Sequence, residues 1–501
     1  MPRLRSTILV AVCILVMGLL ATGAQPLDDA LITLRYARSV AAGAGFVFNL
    51  GEHVLGTTTP LFTLLLAALQ RVTGADLLGL AYGTACVAHL GSVVVLALAG
   101  ARCGFPLAGV AAAALSGLAP IVLSSVVGCM ETSCFIFVVL VGLSPLLPLA
   151  SRWRATAVAA ALLTRPEGAL VVLLYLGELL ALERRVVARR AGLVVLLVLP
   201  WVTFATLYFG SPLAQSVHAK WETRFFRPPL LAAEQFWYLL VSLPTAAPRI
   251  QIQSLVPVPF GTLIASAVPL GVDLMTRRVL VLLLGAGVLV VSGVGAIGLW
   301  RRCAEARPMV LFVIAYIAAF CLARPPMFSW YLAPPQPILM LAFVAGAAIL
   351  LAAVAGRFAP WLGAALVVLM VGLSVWQSRR FLEAYPATIR VRGYRAAVES
   401  LGSAGRDPQT RIGAFEVGAV GYYSRATILD HDGLVSPELL GLDVVQVFER
   451  FHPDFYIAYE GAMAKLLQAP AFSREYDLLA SFPEYSYQGA DLVVYRRRNS
   501  P

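Results

Sequence analysis

The chain has 501 residues, of which 59% are hydrophobic and only 13% are charged, and its formal net charge is +11. Soluble proteins carry roughly 25% charged residues, so this composition excludes an ordinary soluble enzyme and indicates a protein of the lipid bilayer. Most of the arginines lie in short loops between apolar segments. This is the pattern that orients membrane proteins, so the positive charge predicts topology and no nucleic-acid partner.

Long apolar runs predict about eleven transmembrane helices, because a helix needs about 20 residues to cross a bilayer. The first run, residues 6–24, is interpreted as an uncleaved helix, with a cleaved signal peptide as the alternative. Single spans follow at about 77–100, 106–124, 132–150, 191–209, 279–299, 308–323, 334–354 and 360–378. This threading predicts a multi-pass protein of the bacterial inner (plasma) membrane with a cytoplasmic N-terminus and an extracytoplasmic C-terminus.

The apolar stretch 155–183 is interrupted by Thr164-Arg165-Pro166-Glu167-Gly168. Proline breaks a helix, and a charge at the centre of a bilayer costs roughly 3 kcal/mol. The stretch is therefore either one broken span or a hairpin of two short helices. Arginines flank it on both sides, so we favour the hairpin, which keeps both basic ends inside and points Arg165 and Glu167 outward.

Composition divides the chain into two domains. Residues 1–380 form the predicted polytopic α-helical membrane domain, with outer loops at about 25–76 and 210–278. Within the second loop, the moderately apolar piece 255–275 is interpreted as interfacial or re-entrant. From 381 to 501 the apolar runs become short and alternate with helical patterns, which predicts a non-cytoplasmic α/β domain. Its predicted strands lie at 411–415, 426–429, 454–459 and 491–495, and a helix is predicted at 439–451.

The predicted outer side begins with Asp28-Asp29, which directly follow the first helix and open an amphipathic stretch. Aspartate is a favoured N-cap residue, so helix capping is one interpretation. One carboxylate suffices for a cap, however, and two adjacent carboxylates repel each other. The second interpretation is a general base, which a carboxylate at a membrane interface can provide.

Further charged and aromatic residues fall on the same predicted side of the membrane. Each has a structural alternative, because carboxylates cap helices, basic side chains reach from helix ends to the interface, and tryptophan and tyrosine form interfacial belts. The candidate substrate-binding residues are Glu131, Arg165, Glu167, His218, Lys220, Trp330 and Tyr331. Asp430-His431-Asp432-Gly433 is interpreted as an acidic turn after a strand, and no metal ligands are predicted.

An ordered set of motifs runs along most of the chain. The first outer loop contains Asp28-Asp29-Ala30, Arg35-Tyr36-Ala37, Gly45-Phe46-Val47-Phe48-Asn49, Gly51-Glu52 and Gly56-Thr57-Thr58-Thr59-Pro60-Leu61. Later segments are Met130-Glu131-Thr132, Thr164-Arg165-Pro166-Glu167-Gly168, Ser211-Pro212 with Lys220, Trp330-Tyr331 and Gly421-Tyr422-Tyr423. The set resembles bacterial GT-C membrane glycosyltransferases, including the mannosyltransferase-like and arabinofuranosyltransferase-like proteins.

This resemblance implies an enzyme that transfers a hexose or pentose, with inversion, from a polyprenyl-phosphate carrier. The implied acceptor is a glycan, lipid or protein of the cell envelope on the outer face. In such an enzyme Asp28 or Asp29 is the catalytic carboxylate, and the two remain equal candidates. Arg165 or Lys220 would stabilise the leaving phosphate. Glu131 would support the acceptor or a divalent cation, the one cofactor that the resemblance leaves open.

The sequence departs from the GT-C pattern at Ala214-Gln215-Ser216, where a Pro-Asn-Thr-like run is expected, so the role of this loop stays open. Two other classes of protein remain. A lipid or sugar transporter or flippase would carry symmetric repeats and ionisable residues near the middle of the membrane, whereas the polar motifs here gather on one side. A non-catalytic membrane scaffold would use its outer α/β domain to bind a partner.

Overall fold

The computed structural model describes residues 2–224, 274–323, 328–383 and 386–498. The predicted interfacial piece 255–275 lies almost entirely outside these residues, as does most of the predicted outer loop 210–278. The helices of the N-terminal part, numbered along the described residues, are α1 (Pro2–Leu20), α2 (Asp28–Ala41), α3 (Pro60–Thr73), α4 (Leu77–Arg102), α5 (Pro106–Gly117), α6 (Pro120–Val127), α7 (Thr132–Leu143), α8 (Arg152–Thr164), α9 (Gly168–Leu182), α10 (Val187–Phe209), α11 (Gln215–Arg224), α12 (Leu274–Arg302), α13 (Arg307–Ala323), α14 (Gln336–Ala355) and α15 (Ala359–Glu383).

Four helical stretches of the described residues are long and apolar enough to cross a membrane: Leu77–Arg102, Arg184–Phe209, Ala304–Ala323 and Gln336–Glu383. A fifth span results if α5 and α6, which meet at an angle of 54°, are taken together. Pro120 begins α6, and proline disfavours helical conformation in the residue before it, which explains the break. The predicted count of about eleven spans is therefore not confirmed, although the bounds of α4, α10 and α12–α15 follow the predicted runs closely.

The predicted hairpin within 155–183 consists of two separate helices, α8 and α9. The chain turns at Arg165-Pro166-Glu167, and Gly168 opens α9 at very close range to α8. A Cβ atom on Gly168 would lie 2.3 Å from the carbonyl carbon of Ala161, so only glycine permits this approach. At the other end, Arg154 Nη2 donates to Glu178 Oε2 over 2.7 Å and ties α8 to α9.

The C-terminal part is an α/β domain, as predicted. Its helices are α16 (Pro386–Ser400), α17 (Val417–Tyr423), α18 (Val444–Phe451), α19 (Ala464–Leu467) and α20 (Pro470–Glu475), and its strands are β1 (Arg411–Ala414), β2 (Thr427–Asp430), β3 (Phe455–Tyr459), β4 (Tyr476–Tyr487) and β5 (Ala490–Arg497). The sheet order is β2-β1-β3-β5-β4. β1 lies parallel to β2 and β3, whereas β5 is antiparallel to both β3 and β4.

One strand, β4, has no counterpart among the predicted strands. It is an edge strand with only β5 beside it, and most of its side chains are exposed or half-buried. It also contains Pro483, a residue that sheets tolerate mainly at edges. Its sequence therefore lacks the buried apolar alternation by which the central strands were predicted.

Helix α2, the loop that follows it and the C-terminal domain share one apolar core. Leu31 and Leu34 of α2 and Phe48 of the following loop belong to the same buried cluster as Val420 of α17 and Ile428 of β2. A separate apolar cluster fills the helical part, with residues from α1, α4–α9 and α12–α15. The membrane part thus meets the sheet domain through α2 and the loop that follows it.

Candidate functional site

A buried arginine with two glutamate partners lies at the turn between α8 and α9. Arg165 Nη1 donates to Glu131 Oε1 over 2.6 Å and to Thr132 Oγ1 over 3.1 Å. Its Nε and Nη2 donate to the two carboxylate oxygens of Glu167 over 3.2 and 2.9 Å. Both Arg165 and Glu131 are only 4% exposed. The sequence grouped these three residues by predicted side of the membrane, and the structure brings their side chains together.

The charges of this group do not cancel. Burial works against the charged form of Arg165, but the carboxylates of Glu167 and Glu131 prevail and raise its pKa well above the usual range, so the arginine stays positive. Burial raises the pKa of Glu131, Arg165 opposes that rise, and Asp29 and Glu167 add to it. Asp29 therefore lies close enough to interact electrostatically with Glu131. We call Asp29, Glu131 and Glu167, together with Arg165, the acidic cluster.

The neighbouring residues Asp28 and Asp29 point in different directions. They are the first two residues of α2, and successive side chains on an α-helix are about 100° apart. The Asp28 carboxylate faces the C-terminal domain, where it accepts the backbone N–H groups of Gly418 and Ala419 over 3.0 and 2.6 Å. Burial raises the pKa of Asp28 to about 7, although these two amides favour its charged form.

The remaining predicted residues lie near the acidic cluster or in α11. Tyr331 joins the acidic cluster, because its ring lies 5.4 Å from the Arg165 guanidinium carbon. Trp330 stacks on Phe328 with ring centroids 4.7 Å apart. His218 and Lys220 belong to α11; the His218 side chain is exposed, whereas the side chain of Lys220 is outside the described residues. The start of α11 is tied to the first outer loop, since the Gln215 N–H donates to the Leu55 carbonyl over 2.7 Å.

An apolar groove of about 680 Å³ is lined in part by residues that are close in the chain to the acidic cluster. Its walls come from α3, α4 and α7, and they include Leu61, Phe62, Leu65, Leu69, Leu80, Val87, Phe137 and Val138. Gly79 and Gly83 leave the α4 wall open, because a Cβ atom on Gly83 would meet nothing within 4 Å. At its polar end the groove reaches Thr164, the residue before Arg165, and Cys134, one helical turn after Glu131.

Two further motif residues contact the C-terminal domain, although the sequence analysis assigned them no role. Arg35 and Asn49 donate hydrogen bonds to backbone carbonyls of the C-terminal domain. Arg35 is a charged residue on the otherwise apolar face of α2, and this feature of the sequence could have identified it. The Asp430 carboxylate, in contrast, accepts the N–H groups of Asp432 and Val435 over 2.9 Å each; it closes the acidic turn that was predicted. In the ranges that the structure describes, no three His, Cys, Asp or Glu side chains form a group able to hold a metal ion.

The chain resembles known proteins more clearly in its fold than in its sequence. Residues 387–495 match a family described only as a domain of unknown function, DUF8728. No functionally curated protein matches the sequence. The fold, however, is similar to solved structures over nearly the whole chain.

The crystal structure of ArnT from Cupriavidus metallidurans bound to undecaprenyl phosphate is 14% identical and aligns with a TM-score of 0.56, covering 99% of this chain and 98% of that one. The archaeal oligosaccharyltransferase AglB from Archaeoglobus fulgidus, in complex with an inhibitory peptide and a dolichol-phosphate, is 11% identical, with a TM-score of 0.54 and coverage of 98% and 74%. The arabinofuranosyltransferase AftD from Mycobacteria is 14% identical, with a TM-score of 0.54 and coverage of 99% and 40%.

These neighbours are GT-C glycosyltransferases. The resemblance predicted from the ordered motifs is therefore confirmed at the level of the fold: this is a multi-pass membrane protein with a GT-C architecture and a C-terminal sheet domain.

Proposed function

We propose that the protein is an inverting glycosyltransferase that uses a polyprenyl-phosphate sugar on the outer face of the bacterial inner membrane. The observation that carries this proposal is an apolar groove whose lining includes Thr164 and Cys134, which are close in the chain to Arg165 and Glu131 of the acidic cluster. An isoprenoid donor has the same two-part character, since a long apolar tail ends in a phosphate and a sugar. The GT-C neighbours, two of which carry polyprenyl phosphates, support the same substrate class.

The groove suits a lipid tail in both chemistry and length. It follows α4 from Gly79 to Gly91, which is about 18 Å at 1.5 Å per residue. The hydrocarbon core of a bilayer is about 30 Å thick, so the groove reaches roughly halfway across. A tail lying in it would bring its phosphate and sugar to the end of the groove beside Arg165.

Asp29 is the proposed general base. Asp28 is engaged with two backbone amides, whereas Asp29 belongs to the acidic cluster at the end of the groove. As the acceptor hydroxyl attacks, its oxygen forms a bond to the anomeric carbon and its proton passes to Asp29. The bond from the anomeric carbon to the phosphate oxygen breaks, and its electron pair leaves with the polyprenyl phosphate. Attack opposite to the leaving group inverts the configuration.

The proposal also needs a cation that stabilises the leaving phosphate. In this structure the Arg165 guanidinium donates to two carboxylates, so we propose that it orients Glu131 and Glu167. Arg165 also remains a proposed phosphate ligand if a bound donor displaces Glu167. Lys220 and His218 are the other proposed phosphate contacts, because the start of α11 is hydrogen-bonded to the loop that follows α2, the helix of Asp29. Glu131 and Glu167, with Trp330 and Tyr331, are the proposed contacts to acceptor and sugar.

The decisive experiment is transfer by the purified full-length protein in detergent, with polyprenyl-phosphate hexoses and pentoses as donors and cell-envelope extracts as acceptors. We expect release of polyprenyl phosphate together with a glycosylated product. Asp29→Asn should lower turnover by about 100-fold or more, since general-base catalysis contributes roughly 10²- to 10⁴-fold. Unchanged turnover in this variant would remove Asp29 from the mechanism. Flux of donor across liposomes without any covalent product would instead favour a flippase.

A further inference from the structure

The C-terminal domain binds the start of α2 through the Asp28 carboxylate. The Oδ2 and Oδ1 atoms of Asp28 accept the backbone N–H groups of Gly418 and Ala419, which lie in the first turn of α17. Carboxylates are favourable at this end of a helix because the backbone N–H groups there have no partner within the helix. The approach is so close that a Cβ atom on Gly418 would lie 1.9 Å from the carbonyl oxygen of Asp28. Only glycine allows this contact.

Arg35, two helical turns after Asp28, extends the same contact. Its guanidinium donates to the carbonyls of Gly421 over 2.9 Å and Ala426 over 2.8 Å. It also donates to the carbonyl of Phe48 over 2.7 Å, so it joins α2, the outer loop and the C-terminal domain. Arg35 is 6% exposed, and a buried guanidinium is stable only when its donors are satisfied.

Asn49 closes the edge of the sheet. Its Oδ1 accepts the N–H of Ile428 over 3.0 Å, and its Nδ2 donates to the carbonyl of the same residue over 2.9 Å. The side-chain amide thus pairs with β2 much as a neighbouring strand would, and β2 is an edge strand of the sheet. We call Asp28, Arg35 and Asn49, with their partners between 418 and 428, the docking seam.

Asp28 also has a defined position relative to the strands of the sheet. In open α/β sheets, ligands bind outside the carboxyl ends of parallel strands, where neighbouring connections run in opposite directions. Here β1 lies between β2 and β3, and α17 follows β1 at its carboxyl end. The carboxylate of Asp28 occupies the amides at that end. The contact therefore places the start of α2 at the carboxyl end of β1.

We propose that the C-terminal domain is a receptor for the first outer loop and that Asp28 is a positioning residue, which holds the N-terminus of α2 and thereby sets the direction of Asp29. The inference rests on the proposed function of Asp29 as the base. It gives the domain between 387 and 495 a task within the active site: without the domain, Asp28 would lose both of its amide partners beside the like charge of Asp29. A misplacement of about 1 Å at a reacting group can lower turnover about 100-fold.

The first arm of the test does not need activity. Hydrogen–deuterium exchange is measured on the full-length protein in detergent for wild type, Asp28→Ala, Asp28→Asn and Gly418→Ala. We expect the amides of α17 to exchange at least tenfold faster in Asp28→Ala and in Gly418→Ala, and less so in Asp28→Asn, which keeps one acceptor. Gly418→Ala disturbs the contact from the domain side and leaves both carboxylates in place.

The matched control is Asp443→Ala in the same domain. Asp443 caps α18 by accepting the N–H groups of Val445 and Gln446 over 3.0 and 2.9 Å, and this cap lies outside the seam. We expect faster exchange only in α18 and wild-type exchange in α17. Equal exchange of the α17 amides in wild type and Asp28→Ala would overturn the docking contact.

The second arm is kinetic. Asp28→Ala and Gly418→Ala should lower kcat by about 100-fold with little change in KM for the donor, while the rate keeps its dependence on the protonation of Asp29. Asp29→Asn should abolish that dependence, because the titrating base is gone. Asp28→Asn should recover part of the rate. If exchange shows the docking but Asp28→Ala turns over normally, the positioning role is wrong; if no variant and no wild type transfers sugar, the proposed function fails while the docking contact stands.

Discussion

Asp28 and Asp29 are adjacent in the chain but belong to two polar regions that are built differently. In the docking seam, side chains bind backbone: Asp28 accepts amides, Arg35 donates to carbonyls, and Asn49 does both. In the acidic cluster, side chains bind side chains, with Arg165 between Glu131 and Glu167.

The difference separates assembly from chemistry. A side chain bound to backbone is held by a partner that cannot ionise or turn away, which suits a permanent joint. Carboxylates grouped around one arginine retain an excess of negative charge and can exchange partners when a proton or a substrate arrives. Helix α2 thus anchors the second domain through one of its faces and presents a carboxylate to the cluster on another.

The largest effect is expected in the acidic cluster. Arg165→Ala leaves Glu131 and Glu167 buried without their cation, and breaking a buried pair costs about 3–5 kcal/mol. Thermal melting of the purified protein in detergent should drop by several degrees at least. Arg165→Lys should recover only part of this, because an ammonium group cannot make the forked bonds to Glu167. The control is Arg185→Ala, which replaces an exposed arginine just beyond α9. An equal drop in melting temperature in that variant would show that the acidic cluster makes no special contribution to stability.

A smaller effect is expected in the docking seam. Arg35→Ala removes hydrogen bonds to three buried carbonyls, two of which belong to the C-terminal domain, and each hydrogen bond contributes about 1–1.5 kcal/mol net. We expect the docking of the C-terminal domain to weaken by roughly 2–3 kcal/mol, seen as faster hydrogen exchange in both α17 and β2. Arg474→Ala is the control, since Arg474 is exposed and donates to the Pro470 carbonyl of its own helix, α20. Unchanged exchange in Arg35→Ala would show that the apolar core alone holds the domains together.

The sequence located the participants of both regions but could not assign them. Arg35 was visible in the motif, yet its partner Gly421 lies 386 positions away, and no local pattern reports such a distance. Helix capping was one interpretation of Asp28-Asp29, but Leu27 is the N-cap residue of α2 and no side-chain hydrogen bond caps this helix. Asp28 instead accepts an N–H group of α17, 390 residues later. Periodicity along one helix shows which residues share a face and not what that face meets.

The helices and central strands were easier to predict, for a physical reason. Apolar length determines whether a segment can lie in a bilayer, so α4, α10 and α12–α15 could be predicted from the runs alone. Buried strands such as β3 are apolar throughout, whereas β4 is half-exposed and paired on one side. The number of spans could not be predicted as well, because short and bent helices such as α5 and α6 reach a given depth without the length of a full crossing.

The groove offers a milder perturbation that leaves both polar regions intact. Gly83→Leu places a side chain where a Cβ atom now meets open space, and it should also favour the helix by about 0.5–1 kcal/mol. We expect KM for the polyprenyl donor to rise about tenfold, a loss of about 1.4 kcal/mol, with kcat unchanged. Gly177→Leu is the control, because Gly177 in α9 is exposed, lies off the groove and has no neighbour within 4 Å. Equal KM values in the two variants would mean that the tail binds elsewhere.

The smallest expected effect concerns pH and a carboxyl group that belongs to neither region. Burial raises the pKa of Asp430 to about 7, although the N–H of Val435 favours its charged form. A carboxyl whose pKa is higher in the folded state than in the unfolded state stabilises the fold fully below its unfolded value, about 3.9, and this stabilisation is lost as the pH rises through 7. We therefore expect the protection of the β2 amides to fall modestly as the pH rises from 4 to 7, and no further above it.

Hydrogen exchange of the β2 amides, corrected for the intrinsic pH dependence of exchange, measures this loss. In Asp430→Asn the slope should disappear, whereas in Asp443→Ala it should remain, since Asp443 lies in an exposed cap. A wild-type slope that persists in Asp430→Asn would transfer the effect to Asp28, the half-buried aspartate that accepts two N–H groups of α17. The pH dependence of the C-terminal domain would then arise in the docking seam, and the joint between the two domains would itself respond to protonation.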